Sequence, residues 1–173
     1  IRLLPHRLER DLTMKREEIV MSTVKGFKRT QSGEWDWYVS QDPKIAYVRI
    51  TQFTPDTADR VKEALAGGKN GWKGLLADGM KGLILDLRNT PSGGNTDIAE
   101  PIMGRFITKT AEYQRIFEPA AGKRFPQDSW AKTVAPRGPQ VTARLTVLVN
   151  HWTGSMGEGM AIGFDAMKRA QIV

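Results

Sequence analysis

From Ile45 to Phe53 the chain reads IAYVRITQF, with polar residues spaced among β-branched and aromatic ones. That alternation predicts a strand. Thr54 and Pro55 follow as an N-cap and a first helical position, opening an amphipathic helix, PDTADRVKEALAGG, that Gly67 and Gly68 close. NGWKGLLADGM reads as an irregular connector with a short helical turn. KGLILDLRN is an unbroken apolar run, the pattern of a strand covered on both faces. It stops at TPSGGN and gives way to a helix, TDIAEPIMGRFI, in which Pro101 is tolerable only near the first turn. AEYQRIFE predicts another strand. PAAGKRFPQDSWAKTVAPRGPQ, with four prolines, reads as a long surface loop. ARLTVLVN is the last full strand. A helix starting at Ser155 follows, and a new strand begins at Gln171, Ile172 and Val173.

Strands and helices in this order predict an α/β fold with parallel β-α crossovers. Ahead of it, residues 1–30 are densely charged with short strand-like pieces such as Ile19, Val20 and Met21. They read as the exit from a preceding domain or as an edge hairpin. Gly33 and Pro43 mark turns around an aromatic patch. Trp35 and Trp37 alternate there with polar residues, as on a half-buried strand rather than in a ligand cage.

Composition narrows the classes. The 173 residues, 40% hydrophobic and 26% charged, suit one globular domain, with no apolar run long enough to span a membrane. The absence of cysteine excludes disulfides, a thiol nucleophile and cysteine-held zinc, and permits an oxidising compartment. His6 and His151 are too far apart in sequence to suggest a metal centre, so no metal or cofactor is expected. The net charge of +7 is spread along the chain with acids interleaved, which describes a solvated basic surface rather than a nucleic-acid site. The chain opens on Ile1 rather than Met, so an internal piece of a longer polypeptide is expected.

In parallel α/β sheets, sites gather where strands end and helices begin. Two glycine-bearing turns hold that position, Thr90 to Gly94 and Thr153 to Gly157. In the second, Ser155 stands at a strand-to-helix turn with the Met156 N–H beside it, the logic of a nucleophile elbow and oxyanion donor. Thr153 replaces the first glycine of G-x-S-x-G. Ser155 and Glu158 also spell a capping box, S-x-x-E, which begins many helices that have no catalytic role. Local sequence leaves both readings open. Gly93 and Gly94 are candidates for a second oxyanion donor. Neither a P-loop nor a dinucleotide fingerprint is present. As a base, His151 is a weak candidate; Lys168, thirteen residues on, lies about 20 Å along the helix. Asp165 lies on the same helix, and Asp86 and Arg88 suit a structural ion pair.

Three segments together carry a family resemblance: IAYVRITQFTPDTADRVKEAL, GMKGLILDLRNTPSGGNTDIAEPIMGRFI and LTVLVNHWTGSMGEGMAIGFDAMKRAQIV. Over Lys44 to Val173 the chain resembles the C-terminal processing peptidases, or tail-specific proteases, of the ClpP/crotonase-like superfamily. The resemblance implies a serine-peptidase core over 31–173, incomplete at its C-terminal end, and a remnant like the end of a PDZ domain over 1–30, in RDLTMKREEIV. It implies Ser155 as nucleophile, with the Met156 N–H and the Gly93-Gly94 turn as oxyanion hole and Glu158 as support. Ser92 looks inserted relative to the usual P-G-G. The general base is expected to be a lysine beyond Val173. Polypeptide substrates cleaved at exposed or unfolded tails, and an extracytoplasmic address, are the further expectations. The alternative is a non-catalytic peptide- or ligand-binding module on the same scaffold.

Overall fold

The computed structural model describes residues 13–17, 21–68, 71–91, 93–118 and 128–173. Half of the expected end of a preceding domain, residues 1–12 and 18–20, lies outside these. Ser92 lies outside them too.

Short strands come first: β1 (Val24–Lys25), β2 (Lys28–Arg29), β3 (Trp35–Asp36) and β4 (Tyr38–Gln41). The frame is β5 (Lys44–Ile50), α1 (Thr57–Ala66), β6 (Gly82–Asp86) and α2 (Thr96–Met103), with a 3-10 turn at Gly104–Phe106. A hairpin of β7 (Ala111–Glu118) and β8 (Asp128–Val134) intervenes before β9 (Arg144–Leu148), α3 (Met156–Ala166) and β10 (Gln171–Ile172). The main sheet has the order β1-β5-β6-β9-β10, with β4 also paired to β5. β5, β6, β9 and β10 are parallel neighbours, while β1 and β4 run antiparallel to β5.

Register explains the core. Ala46, Leu83 and Leu145 form one row across the three central strands, and Val48, Leu85 and Val147 the next. All six are buried, and each large one contributes roughly 1.5–3 kcal/mol by leaving water. A chain stepping from β5 to β10 in one direction, through crossovers of the usual right hand, keeps its helices on one face. Accordingly α2 touches both α1 and α3, and Val61, Leu65, Ile102, Met160 and Phe164 close over the rows.

The opposite face is a correction to the expectation that β6 is covered on both sides. Its row Tyr47, Ile84 and Thr146 is only half-buried. A short apolar run signals burial without saying how much each face receives.

Other expectations shift for identifiable reasons. The strand ends at Ile50 and α1 starts at Thr57 with Asp56 at its N-cap, not at Thr54-Pro55. Thr57 is wholly buried, its hydroxyl 2.9 Å from those of Thr23 and Thr54 and 3.2 Å from the Gln52 carbonyl, so the helix begins where that inward hydroxyl is satisfied. Pro101 lies in the interior of α2 rather than its first turn, so the Asp97 carbonyl lacks its usual helical donor. The proline-bearing loop contains a full strand: β8 pairs antiparallel with β7, Trp130 opposite Ile116 and Lys132 opposite Gln114. The flanking prolines masked a strand whose partner was itself legible.

At the end of β6, Asp86 is fully buried in its own network. It accepts from the Tyr47 hydroxyl at 2.5 Å, and from the Arg88 backbone N–H and side chain at 2.7–3.0 Å. Burial pushes the carboxyl up, but the Arg88 and Tyr47 hydrogen bonds outweigh it and hold it below the usual range. Tyr47 is pushed up to about 12 by burial and by the same carboxylate. The ion pair expected of Asp86 and Arg88 is therefore present, and it is structural.

A depressed carboxylate contributes stability that is present above its unfolded value, about 4, and is lost as pH falls through the lower native value. Urea unfolding of Asp86→Asn should show lower stability than the parent at pH 7, with the difference shrinking below pH 4. A constant difference across that range would contradict the assignment.

Candidate active site

The ends of β6 and β9 are neighbours because those strands pair in register, Asp86 beside Leu148. The residues that follow are then stitched together. The Leu87 N–H donates to the Leu148 carbonyl at 2.9 Å. Asn89 and Asn150 bond reciprocally at 3.0 Å, the Asn89 N–H to Asn150 Oδ1 and Asn150 Nδ2 to Asn89 Oδ1. Thr153 donates its hydroxyl to the Leu87 carbonyl at 2.9 Å and accepts from the Asn150 N–H at 3.0 Å. Asn89 adopts φ 56°, a left-handed conformation that asparagine tolerates better than most residues.

Beyond this clamp the two glycine-bearing turns touch. The Gly154 N–H donates to the Thr90 carbonyl at 2.9 Å. A Cβ on Gly154 would stand 2.6 Å from the Pro91 carbonyl oxygen, so only glycine permits the approach. Thr90 is itself anchored, its hydroxyl donating to the Ile50 carbonyl at 2.6 Å. The far end of that turn rests on the β5–α1 connection: a Cβ on Gly94, at φ 74°, would meet Phe53 Cβ at 2.4 Å.

Ser155 is exposed and sits at φ 52°, ψ −121°. That is an unfavourable backbone for a residue with a Cβ, of a kind that costs on the order of 1–3 kcal/mol and clusters at functional sites. The capping-box arrangement with Glu158 is present, yet its two halves are unequal. The Ser155 N–H donates to Glu158 Oε2 at 2.8 Å. The Ser155 side chain takes its place in the box opposite the Glu158 backbone N–H, but without a full cap hydrogen bond. An ordinary N-cap has an extended backbone; Ser155 does not. The carboxylate thus braces the turn, and Ser155 stays exposed at the head of α3.

Among the described residues, the Met156, Gly93 and Gly94 N–H groups donate to no backbone acceptor. His151 is exposed with its ring 4.8 Å from that of Trp152, and it does not bond to Ser155. Asp165 and Lys168 lie at and beyond the other end of α3. A cleft of about 470 Å³ opens between α3 and the ends of β9 and β10, lined mostly by apolar groups such as Val149, Ala161, Ile162 and Ile172, with Glu158 on its rim. Among the described residues no group of His, Asp and Glu is placed to hold a metal. Sequence patterning singles out neither Asn89, Asn150 nor Phe53, and marks Thr153 only as the start of its turn and a departure from G-x-S-x-G. The two asparagines at strand ends and the N-x-x-T turn were the available signals.

Comparison with known proteins places this geometry. Residues 44–173 match Peptidase family S41. The carboxy-terminal processing protease CtpA of Bacillus subtilis is 29% identical over 163 residues, 94% of this chain and 29% of that protein. A probable CtpA-like serine protease of Staphylococcus aureus is 31% identical over 101 residues, 58% of this chain and 16% of that protein. The chain thus spans less than a third of the length of these curated relatives. Among solved structures, the photosystem II D1 C-terminal processing protease superposes with a TM-score of 0.61 at 20% identity, covering 90% of this chain and 37% of that one. A peptidase-like protein from Parabacteroides merdae superposes at 0.58 and 17% identity, covering 76% and 39%. These likenesses show a shared α/β fold built on a parallel sheet. With three quarters of its length matching the family and its strand-end turns in contact, the chain belongs to Peptidase family S41.

Proposed function

We propose that this chain carries the nucleophile and oxyanion hole of a serine endopeptidase that cleaves polypeptides. The observation that carries the reading is the Ser155 backbone. A serine that only capped a helix would gain nothing from φ 52°, a backbone that opposes its own Cβ and departs from the extended form of an ordinary cap. A nucleophile gains an outward hydroxyl at the head of a helix.

In this reading Ser155 Oγ attacks the scissile carbonyl carbon. The carbonyl oxygen becomes an anion and turns toward the Met156 N–H and the Gly93-Gly94 turn, whose N–H groups have no other backbone acceptor among the described residues. Glu158 takes no proton; by accepting from the Ser155 N–H it fixes the turn. The base that removes the Ser155 proton is a lysine following Val173, as the family resemblance implies, and the same group then protonates the leaving amine. The acyl-enzyme is hydrolysed by water activated through that base.

The printed names of the relatives refer to processing at carboxyl termini, which supports exposed C-terminal or unfolded regions as the substrate. The segment before residue 31 fits the end of a PDZ-like domain, and the family supports an extracytoplasmic address. Among the described residues no helix is long and apolar enough to cross a membrane.

Ser155→Ala in the full-length protein should reduce peptide cleavage by three or more orders of magnitude with the circular-dichroism spectrum unchanged. Ser155→Gly should be equally inactive yet more heat-stable than the parent, because glycine removes the backbone strain. Undiminished cleavage by the alanine variant would refute the nucleophile.

Gly154→Ala tests the contact between the turns. The added methyl group must push Pro91 away, so kcat should fall by about 10²-fold, the loss expected of a displaced oxyanion donor, while KM changes little. Steady-state kinetics on a quenched fluorescent peptide reads both.

A further inference from the structure

The β7–β8 hairpin stands apart from the main sheet, and its contacts with the helices fix how it is oriented. Tyr113 on β7 packs its ring against Gly163 of α3 and donates to Glu100 of α2 at 2.8 Å. Lys132 on β8 donates to the Thr96 hydroxyl, at the first turn of α2, at 3.1 Å. Glu100 is one helical turn deeper than Thr96, so β7 climbs toward the helix N-termini and β8 descends from them. Those N-termini are where Ser155 and the Gly93-Gly94 turn stand. Each residue of a strand advances about 3.3 Å, which carries Trp130 roughly 7 Å beyond Lys132 in the direction of the helix N-termini.

Pairing decides which way the aromatic residues point. Trp130 is opposite Ile116, and Lys132 is opposite Gln114. Alternation places Trp130, Lys132 and Val134 on one face of β8. Val134 is 1% exposed in the core and Lys132 reaches α2, so this is the inward face. Trp130 continues that face, yet it is 45% exposed, beside a half-buried Ile116. Phe117, 56% exposed, pairs with Ser129 on the outward face. The hairpin therefore presents an apolar pair toward the side on which the proposed oxyanion turn lies, with close to half of the Trp130 surface open to solvent.

We infer that Trp130, with Ile116 beside it, is a substrate-positioning wall that receives an apolar side chain of the polypeptide held at Ser155. This rests on the proteolytic reading of the site. The occupant is the substrate because the Lys132–Thr96 hydrogen bond ties this face of β8 to the start of α2, only three residues beyond Gly93 of the proposed oxyanion turn. Indole and sec-butyl groups bury apolar area and stack against a chain without discriminating its sequence strictly.

The test uses the full-length protein and a set of quenched peptides that share one cleavage sequence, with Leu, Ala or Asp placed in turn at each position within four residues of the cut. Trp130→Ala should lower kcat/KM about tenfold for the best leucine peptide, through KM with kcat retained, and leave the aspartate peptides unchanged. Phe117→Ala, on the outward face, serves as the matched control and should match the parent. Equal losses in the two variants, or a Trp130→Ala loss that is the same for every peptide, would overturn the wall. A parent enzyme that cleaves through Ser155 but is indifferent to Trp130→Ala would refute this inference while leaving the protease reading intact. A parent that cleaves no peptide would refute the protease reading itself.

Discussion

The site depends on the hydrogen bond between the Gly154 N–H and the Thr90 carbonyl. It joins a turn that follows β6 to a turn that follows β9, and these two strands are adjacent only because the sheet is parallel and in register. Neither turn alone brings the strained Ser155 turn beside the glycines at 93 and 94, the pairing on which the proposed nucleophile and oxyanion hole rest. The bond is short because Gly154 has no side chain to collide with Pro91. Around it, the asparagine pair and the Thr153 hydroxyl satisfy backbone groups that would otherwise be left open at the strand ends.

Strain and support are divided around that bond. Ser155 adopts a backbone that opposes its own Cβ, and the surroundings hold it there. Glu158 takes the serine's N–H, the buried rows beneath hold the end of β9, and Met156 and Met160 anchor α3 in the core. A turn of this kind is less stable than the same turn built with glycine. The buried Asp86 network does comparable work one residue before Leu87, tying β6 to β5 through Tyr47.

Much of the frame was legible. The alternation in IAYVRI, the apolar run GLILD and the run RLTVL each correspond to a strand, and the segment AEYQRIFE is β7 residue for residue. These patterns report burial, and burial on a sheet has a period that local sequence records. Helix starts were less legible. Thr54-Pro55 has the right residues for a helix entry, but the chain continues until Thr57 finds partners at Thr23, just before β1, and on the β5–α1 connection. β8 was hidden among prolines because its strand character depends on a partner ten or more residues upstream.

Sequence by itself determined the α/β class, the two glycine-bearing turns and the S-x-x-E at Ser155, since each rests on local composition and spacing. It left Ser155 undecided between cap and nucleophile, because both roles use the same residues at the same separation. Only the tertiary structure shows the positive φ at Ser155, its exposure and the contact of its turn with Pro91. Those features come from two strands, 62 residues apart in the chain, being held side by side by the sheet's hydrogen bonds, and no local pattern records that.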